Sequence, residues 1–163
     1  MEQVYLEIGG NQGDRWLLLE KSKVLISERV GEVLQESLVY ETPPWGFESE
    51  SSFYNQVLVI QTNLGPEALI LALQQIENEL GRVRGINRYA SRTMDIDVLF
   101  YGDQIIQMEH LTVPHPRLHL RNFVLVPLAE IAPDKLHPVF QKTINKLLDE
   151  CDDDSVCKIM GRV

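Results

Sequence analysis

Residues 95–100 read Asp95-Ile96-Asp97-Val98-Leu99-Phe100, two acids set into an otherwise apolar stretch. The period of a strand puts both carboxylates on one face, with their backbones about 6.6 Å apart. Ile96, Val98, Leu99 and Phe100 predict a central strand, where unmatched acids are costly. The paired charge is relieved by oxygen-seeking divalent cations, magnesium being the usual choice beside phosphates; the plainer alternative is two exposed acids on a half-solvated strand. Just upstream, Arg82-Val83-Arg84-Gly85-Ile86-Asn87-Arg88-Tyr89-Ala90-Ser91-Arg92 holds four of the chain's 15 basic residues and no acid. Arginine's fork of donors matches phosphate oxygens and its charge persists at any physiological pH. Alone, this segment would read as a solvated loop. Next to an Asp-x-Asp strand, it supplies the parts of phosphoryl-type transfer, in which cations neutralise transferring charge and little covalent work falls to the protein.

The rest of the composition narrows the partners. A net charge of −9 over 163 residues disfavours a protein that neutralises nucleic-acid phosphates or lies on an anionic membrane. With 44% hydrophobic residues, the chain is expected to fold as one domain, 1–163. Its longest apolar runs, Ala68 to Leu73 and Phe123 to Ala129, fall short of the roughly 18 residues that cross a bilayer, and the start carries no leader pattern, so a cytoplasmic protein is expected. Cys151 and Cys157 lie in an acidic tail and read as free thiols at a frayed end, ahead of any metal or redox role.

Periodicity predicts a strand over Val4 to Ile8, broken by Gly9-Gly10-Asn11-Gln12-Gly13-Asp14. A helix capped by Asp14 runs to about Val30, with Leu18, Leu25 and Val30 among its core residues, and a strand follows over Val33 to Tyr40. Glu41 to Ser52, with its two prolines, is a stiffened loop. Phe53 to Thr62 is a strand whose run Val57-Leu58-Val59-Ile60 suggests burial on both faces. A helix from Pro66 carries Leu69, Leu73, Ile76 and Leu80 and closes at Gly81. Asp95 to Tyr101 is a strand, Gln104 to Met108 its returning hairpin partner, and helices follow over Asn122 to Ile131 and Ile144 to Glu150. The order β-α-β, loop, β-α-β predicts an α+β fold, a ferredoxin-like sandwich with helices packed on one face of an antiparallel sheet.

An apolar ligand surface is readable as well. Trp45, Phe47, Phe53 and Tyr54 surround the stiff loop, Asn55 sits among them, and Phe123 is a further aromatic candidate. Aromatic faces stack on a flat heterocycle while an amide reads its edge, although core packing is the commoner fate of any one phenylalanine.

Taken together, Ile8-Gly9-Gly10-Asn11, Thr42-Pro43-Pro44, Phe53-Tyr54-Asn55, Gly81-Arg82, Arg92-Thr93-Met94-Asp95-Ile96-Asp97, Pro114-His115-Pro116-Arg117 and Phe123-Val124-Leu125 make the sequence resemble the 6-hydroxymethyl-7,8-dihydropterin pyrophosphokinases of folate biosynthesis. The resemblance implies the ferredoxin-like sandwich and attack of the pterin's hydroxymethyl oxygen on the β-phosphorus of ATP, with AMP released. It implies that Asp95 and Asp97 hold two magnesium ions and, with Arg82 and Arg92, form the catalytic set. The pterin site would comprise Thr42, Pro43, Pro44, Trp45, Phe53, Asn55 and Phe123. ATP would meet Gln74, Arg82, Arg84, Tyr89, Arg92, Thr112, His115 and Arg121, with Glu77 a further candidate. Loops at Gly10 to Asp14, Thr42 to Ser52 and Arg82 to Arg92 would close over the site of a monomer. Tyr89-Ala90-Ser91 stands where many relatives have Trp-Gly-Pro, and His110 where some have arginine.

Two other classes fit parts of the pattern. A nucleotidyltransferase or polymerase-like palm also uses strand carboxylates and two metals, but should carry a basic track for a primer, which the net charge speaks against. A non-catalytic ligand-binding domain of the same fold would leave Asp95 and Asp97 without a task.

Overall fold

The computed structural model describes residues 1–46, 51–81 and 94–161. In chain order the elements are β1 (Glu2–Gly10), α1 (Arg15–Arg29), β2 (Glu32–Glu36), β3 (Val39–Thr42), β4 (Phe53–Thr62), α2 (Pro66–Glu79), β5 (Asp95–Tyr101), β6 (Ile106–Met108), β7 (Leu111–Val113), α3 (Asn122–Ile131), α4 (Ile144–Glu150) and β8 (Lys158–Gly161). A six-stranded antiparallel sheet runs β5-β1-β4-β3-β8, with β2 also paired to β4, and the four helices pack on it. This is the expected α+β fold. Among the described residues no helix is long and apolar enough to cross a membrane.

Strand alternation builds two cores from one sheet. Val4, Leu6 and Ile8 of β1, Leu58 and Ile60 of β4, and Ile96 and Val98 of β5 meet Leu19 and Ile26 of α1 and Leu69, Leu73 and Ile76 of α2. Residues of opposite parity, Val57 and Leu99, meet Val124, Leu125 and Leu128 of α3 and Ile144 and Leu147 of α4. Helices therefore cover both faces, not one. The run 57–60 needs this arrangement, since all four residues are buried, with Leu58 and Ile60 in one core and Val57 in the other, and each fully buried aliphatic side chain contributes about 1.5–3 kcal/mol.

The helix ends follow the sequence. Asp14 accepts from Leu17 N at 3.1 Å, as an N-cap should. Pro66 opens α2, and Gly81 beyond its end takes φ 90°. In α1 the deeply buried apolar positions are Leu19 and Ile26, while Leu18 and Leu25 pack only partly.

Five local expectations change. β1 continues through Gly9 and Gly10, which pair with Asn55 and Tyr54. The strand expected over Val33 to Tyr40 is two strands, because Ser37 turns its side chain and backbone onto Val57: Val57 N donates to Ser37 Oγ at 3.0 Å and Ser37 N to Val57 O at 2.9 Å. Residues 106–108 pair with 111–113 and not with β5. β5 itself is not central but ends the sheet, and its outer edge is occupied by Glu77 Oε2, accepting from Ile96 N at 2.8 Å, and by His115 N, donating to Leu99 O at 2.9 Å. Unpaired edge groups are thus answered by a helix and a loop. The tail expected to fray instead adds β8 to β3.

Candidate active site

The antiparallel register lines up one row of residues across the sheet: Tyr40 opposite Asn55, Asn55 opposite Gly9, Gly9 opposite Asp95. The next row runs Val57, Glu7, Asp97. Parity turns Asn55, Glu7, Asp95 and Asp97 to the α3 side. Asn55 and Asp95 are two strand spacings apart, about 9.5 Å, with only a glycine between them. The absence of a side chain at Gly9 is used, since a Cβ there would overlap Asn55 Oδ1 and stand 2.8 Å from Tyr54 O. Asn55 Nδ2 donates to Thr42 Oγ1 at 2.6 Å, which fixes the amide's orientation over the strand.

β5 owes its aim to a bulge. Its pairing with β1 shifts by one residue between Tyr5 and Leu6, where Val98 pairs with Leu6 and Phe100 with Tyr5, leaving Leu99 as the extra residue. The carbonyl of that residue is the one bound by His115 N, so the bulge also seats the Pro114-His115-Pro116 turn beside the acids. His115 Nδ1 accepts from Arg117 N at 3.1 Å, which leaves Nε2–H as the ring's donor. Glu77 holds the backbone of Ile96, between the two aspartates, a structural task that its sequence position did not suggest.

Arg121 lies at the start of α3, 7% exposed, with its guanidinium 4.5 Å from the Trp45 ring centre and 5.4 Å from that of Phe123. Arginine on aromatic faces in a partly dry site is a favourable arrangement. The loop start, half-buried Pro44 and Trp45, thereby meets the helix that carries Phe123, while Phe53, paired with Thr42, stands at the slot's sheet side. Pro43 is exposed and Thr42 buried.

Glu7 was missed by sequence reasoning. It is 4% exposed, and its Oε2 makes no hydrogen bond. Burial pushes its carboxyl well above the usual range, Asp97 and Asp95 push it further, and Arg121 opposes them. The signal was present in the alternation, because Glu7 shares parity with Tyr5 on a strand flanked by others that are buried on both faces. Arg15 was missed too: it donates to Ser52 O at 2.9 Å and stands 3.9 Å over the Tyr54 ring, tying α1 to the loop before β4. Asn11 Nδ2 reaches Ser51 O at 3.2 Å, so the first glycine turn is fastened to the same loop.

The structure thus brings together Thr42, Trp45, Phe53, Asn55, Asp95, Asp97, Arg121 and Phe123. Gln74, half-buried on α2, and Thr112, exposed on β7, lie on elements flanking the outer edge of β5. Phe47, Arg82, Arg84, Tyr89 and Arg92 fall outside the described residues.

A family model described as 7,8-dihydro-6-hydroxymethylpterin-pyrophosphokinase (HPPK) matches residues 5–133. The chain is 39% identical over 150 residues to a 2-amino-4-hydroxy-6-hydroxymethyldihydropteridine pyrophosphokinase of Aquifex aeolicus, covering 92% of each protein. It is 44% identical over 128 residues to the protein of that name in Bacillus subtilis, covering 78% of this chain and 76% of that one. It is also 39% identical to the folic acid synthesis protein fol1 of Pneumocystis carinii, of which it spans only 21%. Among solved structures, an HPPK-DHPS crystal structure in complex with substrates superposes with a TM-score of 0.74 at 15% identity, over 91% of this chain and 43% of that chain, which shows the shared fold.

Proposed function

The chain belongs to the 7,8-dihydro-6-hydroxymethylpterin-pyrophosphokinase family, and from that premise we propose that it transfers pyrophosphate from ATP to the hydroxymethyl group of 6-hydroxymethyl-7,8-dihydropterin, releasing AMP. The observation that carries the reading is the row Asn55-Gly9-Asp95: an oriented amide and a carboxylate face each other across a floor with no side chain. A flat heterocycle held by Asn55 has its substituent over Gly9 and next to the acids.

The pterin stacks between Phe53 and Phe123, with Asn55, the backbone of Thr42, Pro43 and Pro44, and Trp45 at its edge. Arg121, His115, Thr112 and Gln74, with Arg82, Arg84, Tyr89 and Arg92 from the segment before β5, take the triphosphate and nucleoside. The donor set fits magnesium. Two carboxylates share one face, a third buried acid lies beside them, and among the described residues no three acids, histidines or cysteines close into a metal cage. Magnesium beside nucleotides is held in that way, by one or two carboxylates together with phosphates and water. Asp95 and Asp97 would hold two such ions, which when bound supply charge neutralisation at the phosphates. The chain's own contribution is placement: stacking fixes the plane of the nucleophile, Asn55 fixes its rotation, and the arginines stabilise charge on the phosphates while α3 keeps water from the ring.

Residues 1–163 make one catalytic domain in this reading, supported by two cores sharing one sheet. The working unit is a monomer, since one chain supplies every proposed contact, and the setting is cytoplasmic, in keeping with ATP as co-substrate. Product analysis tests the proposal directly. With magnesium, ATP and the hydroxymethyl pterin, AMP and a diphosphorylated pterin are the expected products. ADP would make the protein a simple kinase, and free pyrophosphate would make it a nucleotidyltransferase.

A further inference from the structure

The family match ends at residue 133, yet the chain beyond it returns to the site. β8 pairs with β3, Ile159 opposite Tyr40 and Lys158 opposite Glu41, so it is fastened to the strand that leads into Thr42 and the Pro43-Pro44-Trp45 wall. Just before β8, the acidic segment reaches the other wall. Asp153 Oδ2 accepts from the backbone N–H of Asn122 at 2.9 Å, and Asn122 Nδ2 donates back to the carbonyls of Asp153 and, at 3.2 Å, of Ser155. The Asp153 carboxylate is itself held by Ser155, whose N–H donates to Oδ1 at 2.9 Å and whose hydroxyl donates to the same atom.

Asn122 is the first residue of α3 and stands between Arg121 and Phe123. The first N–H groups of a helix have no partner within it, and Arg121 at the N-cap offers no side-chain acceptor. Asp153 therefore does the capping from more than thirty residues away, with the charge a helix start favours. Partial burial pushes the Asp153 carboxyl up, but hydrogen bonds from Ser155 and Asn122 outweigh it and hold it below the usual range. The far end of α3 is fixed to the same strand and the residue before it: Glu130 accepts from Tyr40 Oη at 2.7 Å and from Leu38 N at 3.1 Å. Thus β3 holds α3 at one end directly and at the other through the tail.

We propose that segment 151–161 is a strap that sets the width of the slot between the Thr42–Trp45 wall and the first turn of α3, with Asp153 as the positioning residue for Arg121 and Phe123. This rests on the pterin and nucleotide assignments made above.

Steady-state kinetics on the full chain, read as AMP formed, test it with melting temperatures recorded alongside. Asp153→Ala removes the acceptor and should raise the KM for the pterin about tenfold while kcat stays within about twofold. Asp153→Asn keeps an oxygen for Asn122 N–H and should restore most of the wild-type KM, which a tail that merely added stability would not require. Should Asp153→Ala fail to fold, Ser155→Ala loosens the same carboxylate and should raise the pterin KM about threefold. Unchanged KM values in a folded Asp153→Ala protein, with wild type making AMP, would overturn the strap and leave the activity standing. Wild type that makes no AMP would overturn the activity first and the strap with it.

Discussion

The two faces of the sheet are made by the same strands and behave differently. The face under α1 and α2 is apolar where β1 and β5 cross it, from Val4 to Ile8 and from Ile96 to Val98, and its buried Gln56 on β4 donates to Ser37 O at 2.8 Å. The face under α3 and α4 is apolar only in one half, where Tyr5, Val57, Leu99 and Phe100 meet the helices. Beyond the row of Val57, Glu7 and Asp97 it turns polar, with Asn55 and Asp95 on either side of Gly9. Alternation, reset once by the bulge at Leu99, produces this division, because successive residues of a strand face opposite sides of the sheet. One face supplies the stability that allows the other to hold unfavourable charge.

A pair of substitutions, one on each face of the sheet, can break the comparison. Asp97→Ala on the polar half should lower kcat/KM on the order of a thousandfold and leave the melting temperature near or above the wild-type value, since it removes a charge that faces Glu7. Ile60→Ala on the sealed face, where Ile60 is fully buried, should cost about 2–5 kcal/mol of stability and leave kcat/KM intact wherever the protein is folded. If urea titration and assay gave the two variants the same mixed losses, the division of labour by face would be wrong.

A smaller change sharpens the boundary. Gly9→Ala places a methyl group on Asn55 Oδ1 and against the Tyr54 carbonyl, so either the amide rotates away from Thr42 or the strands part. The expected result is a rise in pterin KM of about ten- to thirtyfold, about 1.4 to 2 kcal/mol in binding, with the KM for ATP changed by less than half as much on a logarithmic scale. Equal effects on both substrates would place Asn55 in a general packing role.

How far the sequence carried the argument depended on the range of the interactions involved. The strands Phe53–Thr62 and Asp95–Tyr101 and the helices Asn122–Ile131 and Ile144–Glu150 have the limits their local pattern predicts, because periodicity and flanking turns decide them. The shared face of Asp95 and Asp97 was legible for the same reason, since two-residue spacing on a strand decides it. Ser37 split a strand through bonds to Val57, twenty residues away, and no local signal marks that. The apolar character of β5 suggested a central strand, whereas its burial comes from α2, the His115 turn and the two cores around it. The tail's polar composition hid an ordered partner for Asn122, since a carboxylate that caps a distant helix looks in sequence like any solvated acid.

The smallest predicted effect lies on the boundary between the two halves. Burial, then Asp97, raise the Glu7 carboxyl well above its ordinary 4.5, so the folded protein keeps a proton that the unfolded chain releases as pH rises past that value. Stability contributed by this group is therefore complete below pH 4.5 and declines as pH rises toward the folded value, each unit of displacement being worth about 1.4 kcal/mol. Glu7→Gln has no such proton. In chelator-treated protein it should match wild type near pH 4 and become progressively the more stable of the two as pH rises to 8, as measured by urea unfolding across that range. Parallel curves for the two proteins would mean that Glu7 is as well solvated folded as unfolded, and that the polar half of the face opens to water one row deeper than its register with Asp97 implies.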